Sequence, residues 1–482
     1  GETFHVISEE HSDKLATLPV QSYRGRIIPM HTLCDELLRK TFRNNILDHK
    51  GKEYNAIQSI MSMFLYAEFW KKQNTIYIPS VLQKRLNLKK HQSYRSISHI
   101  DSNGNLVFNW KNQYEKAHQT PESDRDEFDK KIIKLLDRFQ VTTEIFSGDF
   151  LRVNPIKNNP NNNWIDNNLA KSFREKTIKF YKERESRNKN IRNLSIEEKK
   201  SRDNQLTRDS LRINEMINFL YENPILQKTH DYLLSLNFPN IQKSEKLLAE
   251  IKSEQRKVAG DIIPSENLLR LEVQYNKMQI FKWSYLLYIG IGMLMLILFF
   301  IQIFVSQNTR LIKSFIIARK VLFYLLIAVF LFHGSGLIIR WLVSGHVPWS
   351  NGYEAVVFIA WVTMLAGFIF SRKNAVVIAG TAVLASLMIF VTELNLLDPE
   401  ITPLQPVLKS YWLMIHVAVI TGSYGFLGLA CILGFLNLTL YIFRTPKTAK
   451  NISTNITELT YISEMTMTIG VFMLTIGTFL GG

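Results

Sequence analysis

Three histidines stand in the C-terminal part of the chain: His333, His346 and His416. Each lies inside or beside a long apolar run. An imidazole is costly there unless it has a partner, so each is a functional candidate. His333 falls in His333-Gly334-Ser335-Gly336, where the plain reading is a ring hydrogen-bonded to a neighbouring helix. His346 belongs to a short loop that also holds Arg340, Trp341, Trp349, Tyr353 and Glu354. A loop imidazole by itself is a solvated one. Crowded with a guanidinium and several aromatic rings, the same loop suits a planar, anionic, aromatic ligand held by stacking and charge. His416 follows Trp412 by one helical turn, which puts both on one face. A neutral imidazole at the mouth of an apolar helix suits a haem iron. It equally suits a hydrogen bond to an adjacent helix, and the spacing does not decide between them.

The elements that must carry these residues follow from composition. The chain has 482 residues, 46% of them hydrophobic and 21% charged. Residues 1–279 carry 46 Lys+Arg against 36 Asp+Glu, a net of +10; residues 280–482 carry 12 against 6, a net of +6. The second part holds long apolar runs with almost no charge inside them, which excludes a single soluble globular protein. With 22 Gly, 14 Pro and 2 Cys, collagen-like and disulfide-rich classes are excluded as well. The two cysteines, Cys34 and Cys431, lie in different halves, so neither a disulfide framework nor a cysteine metal site is expected. Cys34, a lone thiol that cannot carry out dithiol exchange by itself, reads as a small buried apolar residue. The chain opens at Gly1 with no Met and no signal-like stretch, and reads as a fragment of a longer protein.

Six runs approach the roughly 20 apolar residues that a bilayer core requires: 284–305, 321–339, 355–370, 375–391, 415–440 and 465–480. Arg310, Lys313, Arg319 and Lys320 separate the first two, Arg372 and Lys373 the third and fourth, and Arg444, Lys447 and Lys450 the last two. The intervening connections hold Glu354, or Glu393, Asp398 and Glu400 against Lys409. Positive charge on every second connection predicts a cytoplasmic side for those three, and places residues 1–283 outside. In that first part, Tyr54–Lys72 and Phe128–Phe139 carry apolar stripes at helical spacing, and Ile76–Pro79 and Phe150–Val153 read as short strands. Asn158–Asn168 is a loop by composition. Lys171–Arg202 reads as a solvated, mixed-charge helix in preference to a nucleic-acid surface. A helix over residues 268–280 runs into the first span, with Trp283 and Tyr285 as interfacial anchors. The fold class expected is a polytopic α-helical membrane protein preceded by a mostly α-helical (α+β) extracytoplasmic domain.

The run Arg340-Trp341…Ser344-Gly345-His346…Pro348…Ser350-Asn351…Tyr353-Glu354 resembles a loop of the CcsA/ResC cytochrome c assembly family, and Ser410…Trp412-Leu413…His416-Val417, with Tyr424 downstream, resembles the same family's external histidine segment. Helix order and spacing agree, over residues 321–482. A weaker likeness of Val20-Gln21…Gly25-Arg26-Ile27 to an insert of fused ResB–ResC (CcsBA) synthases implies that residues 1–283 are the extracytoplasmic part preceding the assembly domain. The resemblance implies cytochrome c biogenesis in a bacterial cell membrane: haem b carried across as substrate and joined by thioether bonds to the Cys-x-x-Cys-His segment of apocytochrome c. It implies His416 as an outer axial ligand of the haem iron, with Trp412, His346, Trp349, Arg340, Tyr353 and Glu354 around the ligand. The partners so implied are apocytochrome c, haem and lipid, with no nucleic acid. The family's tryptophan-rich signature and its remaining histidines are expected outside residues 1–482, so haem-lyase activity is expected of a full-length protein. The competing expectations are a polytopic transporter of another substrate and a non-catalytic membrane anchor for the first half.

Overall fold

The computed structural model describes residues 6–44, 46–49, 51–102, 106–156, 163–166, 223–237, 241–304, 309–371, 374–394, 397–404, 411–444 and 449–481. The mixed-charge stretch Lys171–Arg202 and most of Asn158–Asn168 lie outside them. The chain divides into two compact units, Gly1–Val273 and Gln274–Gly482.

Among its described residues the first unit combines helices with five two-stranded antiparallel sheets. Its helices are bounded by local chemistry. Asn55 caps Ala56–Leu65 in a reciprocal box with Gln58, and Asp126 caps Glu127–Ser147 in one with Asp129. The latter ends at Gly148, whose φ of +90° is the left-handed stop that glycine takes without strain. Along it Ile132, Leu135, Phe139, Thr142 and Ile145 are buried, one stripe at helical spacing. The apolar stripe read over Tyr54–Lys72 is not one helix. Tyr54 closes the strand Lys52–Tyr54, and the helix Ala56–Leu65 breaks at Tyr66 before the short turn Ala67–Trp70. The Trp70 indole donates to the Ser62 hydroxyl at 2.8 Å, which holds that turn back on the preceding helix. The strand pair Asn74–Tyr77 with His91–Ser93, and the pair Arg152–Asn154 with Ile165–Asp166, overlap the two strands read from sequence.

Among its described residues the second unit holds six helices long and apolar enough to cross a membrane, preceded by the α+β region, as the sequence reading required. The helices are Ile280–Phe304, Thr309–Ser344, Gly352–Phe370, Ala375–Glu393, Tyr411–Ile442 and Ala449–Leu480. The helix Glu266–Met278 leads into the first span, with Gln279 alone between them at φ +44°. The sixth helix starts well before residue 465, because its first turns carry Asn, Ser, Thr and Glu, which hydropathy alone discounts. The fourth span is central, with 61% of its apolar window buried against 17% for the second and the sixth. Helices approach closely where side chains are small. A Cβ on Gly425 of the fifth span would stand 3.2 Å from the Ile359 carbonyl oxygen of the third, so that crossing needs glycine.

Candidate functional site

The histidine loop folds around one buried ion pair. Arg340 lies in the last turns of the second span and Glu354 in the first turn of the third, and both are almost fully buried. Arg340 Nε donates to Glu354 Oε1 at 2.7 Å. Its two other nitrogens donate to the carbonyl oxygens of Pro399 (2.9 Å) and Glu400 (3.2 Å). The second carboxylate oxygen of Glu354 accepts from the Ser350 amide at 2.8 Å and from the Ser350 hydroxyl at 2.7 Å. The guanidinium lies over the Tyr353 ring, 5.1 Å from its centre. The helix start itself is set by Asn351, whose Oδ1 accepts from the Glu354 amide at 2.9 Å. Two opposite charges taken out of water survive only with such complete pairing. The sequence left Arg340 open to an anionic ligand; in the structure each of its three nitrogens donates to Glu354 or to the 399–400 backbone.

His346 sits on the same corner. Its Nδ1 faces the Val347 carbonyl at 3.2 Å and its Nε2 the Thr402 carbonyl at 3.1 Å, so the ring is buried and not a solvated loop side chain. The loop's backbone reverses at Gly345, φ +73°. Trp349 packs on Phe358 with ring centres 5.0 Å apart, and its buried indole N–H has no hydrogen-bond partner among the described residues.

His416 is placed elsewhere, between the fifth and sixth spans. Its Nδ1 lies 2.6 Å from the Gly477 carbonyl oxygen. A carbonyl only accepts, so in the neutral ring Nδ1 carries the proton and Nε2 carries the lone pair. Nε2 has no hydrogen-bond partner among the described residues, and the ring is half-buried. The backbone of Gly481 passes against the same ring, so closely that any side chain there would run into it. Trp412, one turn earlier, is 64% exposed. His416 makes no hydrogen bond or ring contact with Arg340, His346, Trp349, Tyr353 or Glu354. The structure therefore gathers five of the seven candidate residues on one corner and leaves His416 and Trp412 on another pair of helices.

His333 meets its expected neighbour: Tyr288 of the first span lies 3.4 Å from Nδ1, and the rings of Tyr288 and Phe281 stand edge-on to it. In the first unit Cys34 is fully buried, and burial pushes its thiol pKa up, which denies it a reactive thiolate. His11 bonds the Tyr232 hydroxyl at 2.9 Å, with burial lowering the His11 pKa and raising that of Tyr232. Among the described residues no three His, Cys, Asp or Glu side chains gather to hold a metal ion. Sequence reasoning gave Ser350, Asn351 and Gly477 no role. The Asn-x-x-Glu spacing of Asn351 and Glu354 is a legible helix-start signal; Gly477 offers only a carbonyl and has none.

Residues 349–482 match the family model of the cytochrome C assembly protein. Over 98% of the chain the sequence is 29% identical to protein NrfI of Wolinella succinogenes, covering 47% of that protein. Over 22% of the chain it is 34% identical to the cytochrome c biogenesis protein CcsA of Chlorella vulgaris, covering 35% of that protein. The match to the CcsA of Prochlorococcus marinus is 40% over the same share of each. The chain thus spans about half the length, or less, of these relatives.

Proposed function

We propose, from the cytochrome c assembly region that residues 349–482 carry, that this multi-pass membrane protein handles haem for attachment to apocytochrome c, and that His416 binds the haem iron through Nε2. The observation that supports this most is the bond from Nδ1 to the Gly477 carbonyl. Metal-binding histidines characteristically donate their second ring N–H to a backbone carbonyl or carboxylate, which fixes the tautomer and aims the other nitrogen. His416 has that arrangement, and a histidine whose two nitrogens both face protein acceptors does not.

Haem b is the substrate in this reading. The chain's own contribution is positional. His416 holds the iron, Trp412 and Trp349 offer ring faces to the porphyrin, and the corner of Arg340, Tyr353, Glu354 and His346 keeps the Trp349 loop in place. Each thioether then forms by addition of a cysteine S–H of apocytochrome c across a haem vinyl group. The sulfur and its proton both end on the former double bond, so no oxidant is required. Charge on alternate connections supports an outer, periplasmic location for residues 1–283 and for the His416 end of the fifth span, in a bacterial inner membrane.

The test is His416→Gly in the full-length protein. Cytochrome c attachment and the b-type haem absorbance of the purified protein are both expected to fall to background, and added imidazole to restore part of each, because an open coordination position accepts a free ligand. A normal haem spectrum in the variant would remove His416 from the iron.

A further inference from the structure

We propose that the guanidiniums of Arg43 and Arg138, set about the Tyr77 ring in the first unit, bind a phosphate dianion from solution: inorganic phosphate or the terminal group of a soluble phosphomonoester. The inference is independent of the haem reading. Three elements meet here. The helix Met30–Phe42 delivers Arg43 at its end, the strand Asn74–Tyr77 delivers the ring, and the helix Glu127–Ser147 delivers Arg138. The Arg43 guanidinium lies over the Tyr77 ring, 4.9 Å from its centre, and that of Arg138 lies 5.3 Å from the same centre. His91 braces the ring: it meets Tyr77 edge-on at 5.8 Å and stacks on Phe42 at 4.6 Å.

Two like charges are held together with little to offset them. Arg138 Nε donates to the Lys40 carbonyl at 3.1 Å and Nη1 to the Tyr77 carbonyl at 3.4 Å, and neither bond brings a negative charge. Among the described residues the Arg43 side chain donates no hydrogen bond, and neither guanidinium forms an ion pair. Both side chains are half-buried. Burial, and after it the Arg43 charge, bring the Arg138 pKa down to about 10, and Asp137, the carboxylate whose charge reaches Arg138, has the smallest effect. The backbone is unusual as well. Arg43 closes its helix at φ +63°, a left-handed position that glycine or asparagine ordinarily takes. Strain of this kind gathers at ligand clamps, and here it accompanies a guanidinium turned on to Tyr77.

The ligand's chemistry follows from the donors. Stacking occupies the flat face of a guanidinium and leaves its N–H edge free. Two such edges about one ring call for an anion with more than one charge and with oxygens on more than one side. A carboxylate has one charge, and a single guanidinium fork satisfies it. A lipid phosphodiester also has one. A phosphate monoester carries about −1.5 to −2 at pH 7 with three strong acceptor oxygens, enough for both edges.

The experiment titrates inorganic phosphate into the purified full-length protein at constant ionic strength, read by calorimetry. Saturable binding is expected, competed by sulfate and not by acetate, chloride or phosphatidylglycerol. Arg43→Gly suits the left-handed position and so keeps the fold, while Arg138→Lys keeps the charge and loses the fork. Each should weaken binding at least tenfold. Tyr77→Phe, which keeps the ring, should bind as the parent does. Phosphate should raise the unfolding temperature of the parent and not that of Arg43→Gly. No saturable binding in the millimolar range, displacement by acetate or phosphatidylglycerol as readily as by sulfate, or parental affinity in Arg43→Gly would overturn the proposal.

Discussion

Arg340 commits all three of its nitrogens to protein acceptors, whereas His416 commits one of two. Both lie in the membrane unit, and both carry an aromatic neighbour that sequence alone would assign to a ligand. The difference separates their work. A buried guanidinium bonded through each of its nitrogens fixes its neighbours, here Glu354 and the 399–400 backbone. An imidazole held by one nitrogen is aimed and still has a lone pair. On the proposed reading the Arg340 corner is scaffold and His416 is the contact. The contrast can be broken at either end.

The largest effect is expected at the saturated end. Glu354→Ala would strand the Arg340 guanidinium in a buried site and release Ser350 as well. Removing one partner of a buried pair costs roughly 3–5 kcal/mol, enough to unfold the corner. Thermal aggregation in detergent should begin at a clearly lower temperature, and imidazole should not reverse it. Glu354→Gln, which can still accept from Ser350, should fall between. A protein as stable as the parent after Glu354→Ala would show that the corner is not held by this pair.

The two histidines give the next comparison. His416→Gly should lose haem and regain part of it with imidazole. His346→Gly should not respond to imidazole, because both His346 ring nitrogens face carbonyl oxygens, of Val347 and Thr402, and its loss is a loss of packing. The measurement is haem absorbance per folded protein with and without imidazole. Equal rescue of the two variants would erase the distinction between scaffold and contact.

How much of this was legible beforehand follows from the same distinction. Six spans were legible because a helix that crosses hydrocarbon must be long and apolar, and hydropathy reports that directly. Their ends were less so: the sixth helix begins at Ala449 because Thr hydroxyls such as those of Thr457 and Thr460 satisfy themselves on the preceding turn, which hydropathy counts as polar. The side chains of the corner were legible by type, since Arg, His, Trp and Glu in one short loop are conspicuous. Their partners were not. Pro399, Glu400, Thr402 and Gly477 act through main-chain carbonyls, and every residue has one. Only the tertiary fold says which carbonyl is used, so the sequence left Arg340 open and could not separate a ligating His416 from a packing one.

Trp349 tests the middle of the range. Its indole N–H is buried without a partner among the described residues, while its ring packs on Phe358. Trp349→Phe keeps the ring contact and removes an orphan donor, whose burial costs about 1–3 kcal/mol, so stability should hold or rise. If that N–H is kept for a ligand, haem content should fall even as stability holds. Trp349→Ala should lower haem content and stability together, since it loses the ring's apolar burial and, beyond that, roughly 0.5–1.5 kcal/mol for the aromatic pair. Unchanged haem content in both variants would leave this loop as scaffold alone.

The smallest expected effect sharpens the contrast most finely, because it touches the scaffold without stranding a charge. Asn351 Oδ1 accepts from the Glu354 amide and so starts the third span, and its Nδ2 lies 3.4 Å from the Glu400 carbonyl oxygen. Asn351→Ala removes the cap. The cost is about 1 kcal/mol, the usual value for losing a capping acceptor, well under the loss from Glu354→Ala. Arg340 keeps its carboxylate and both carbonyls in this variant, so the corner should stay closed and haem binding at His416 should not change. Asn351→Ser supplies another capping oxygen and should recover most of the difference. Hydrogen exchange at the amides of residues 352–354 reads this locally: faster in Asn351→Ala, near the parent rate in Asn351→Ser. Should Asn351→Ala instead destabilise as much as Glu354→Ala, the helix start and the ion pair would be one cooperative unit, and the cap, not the charge, would be what holds the histidine loop.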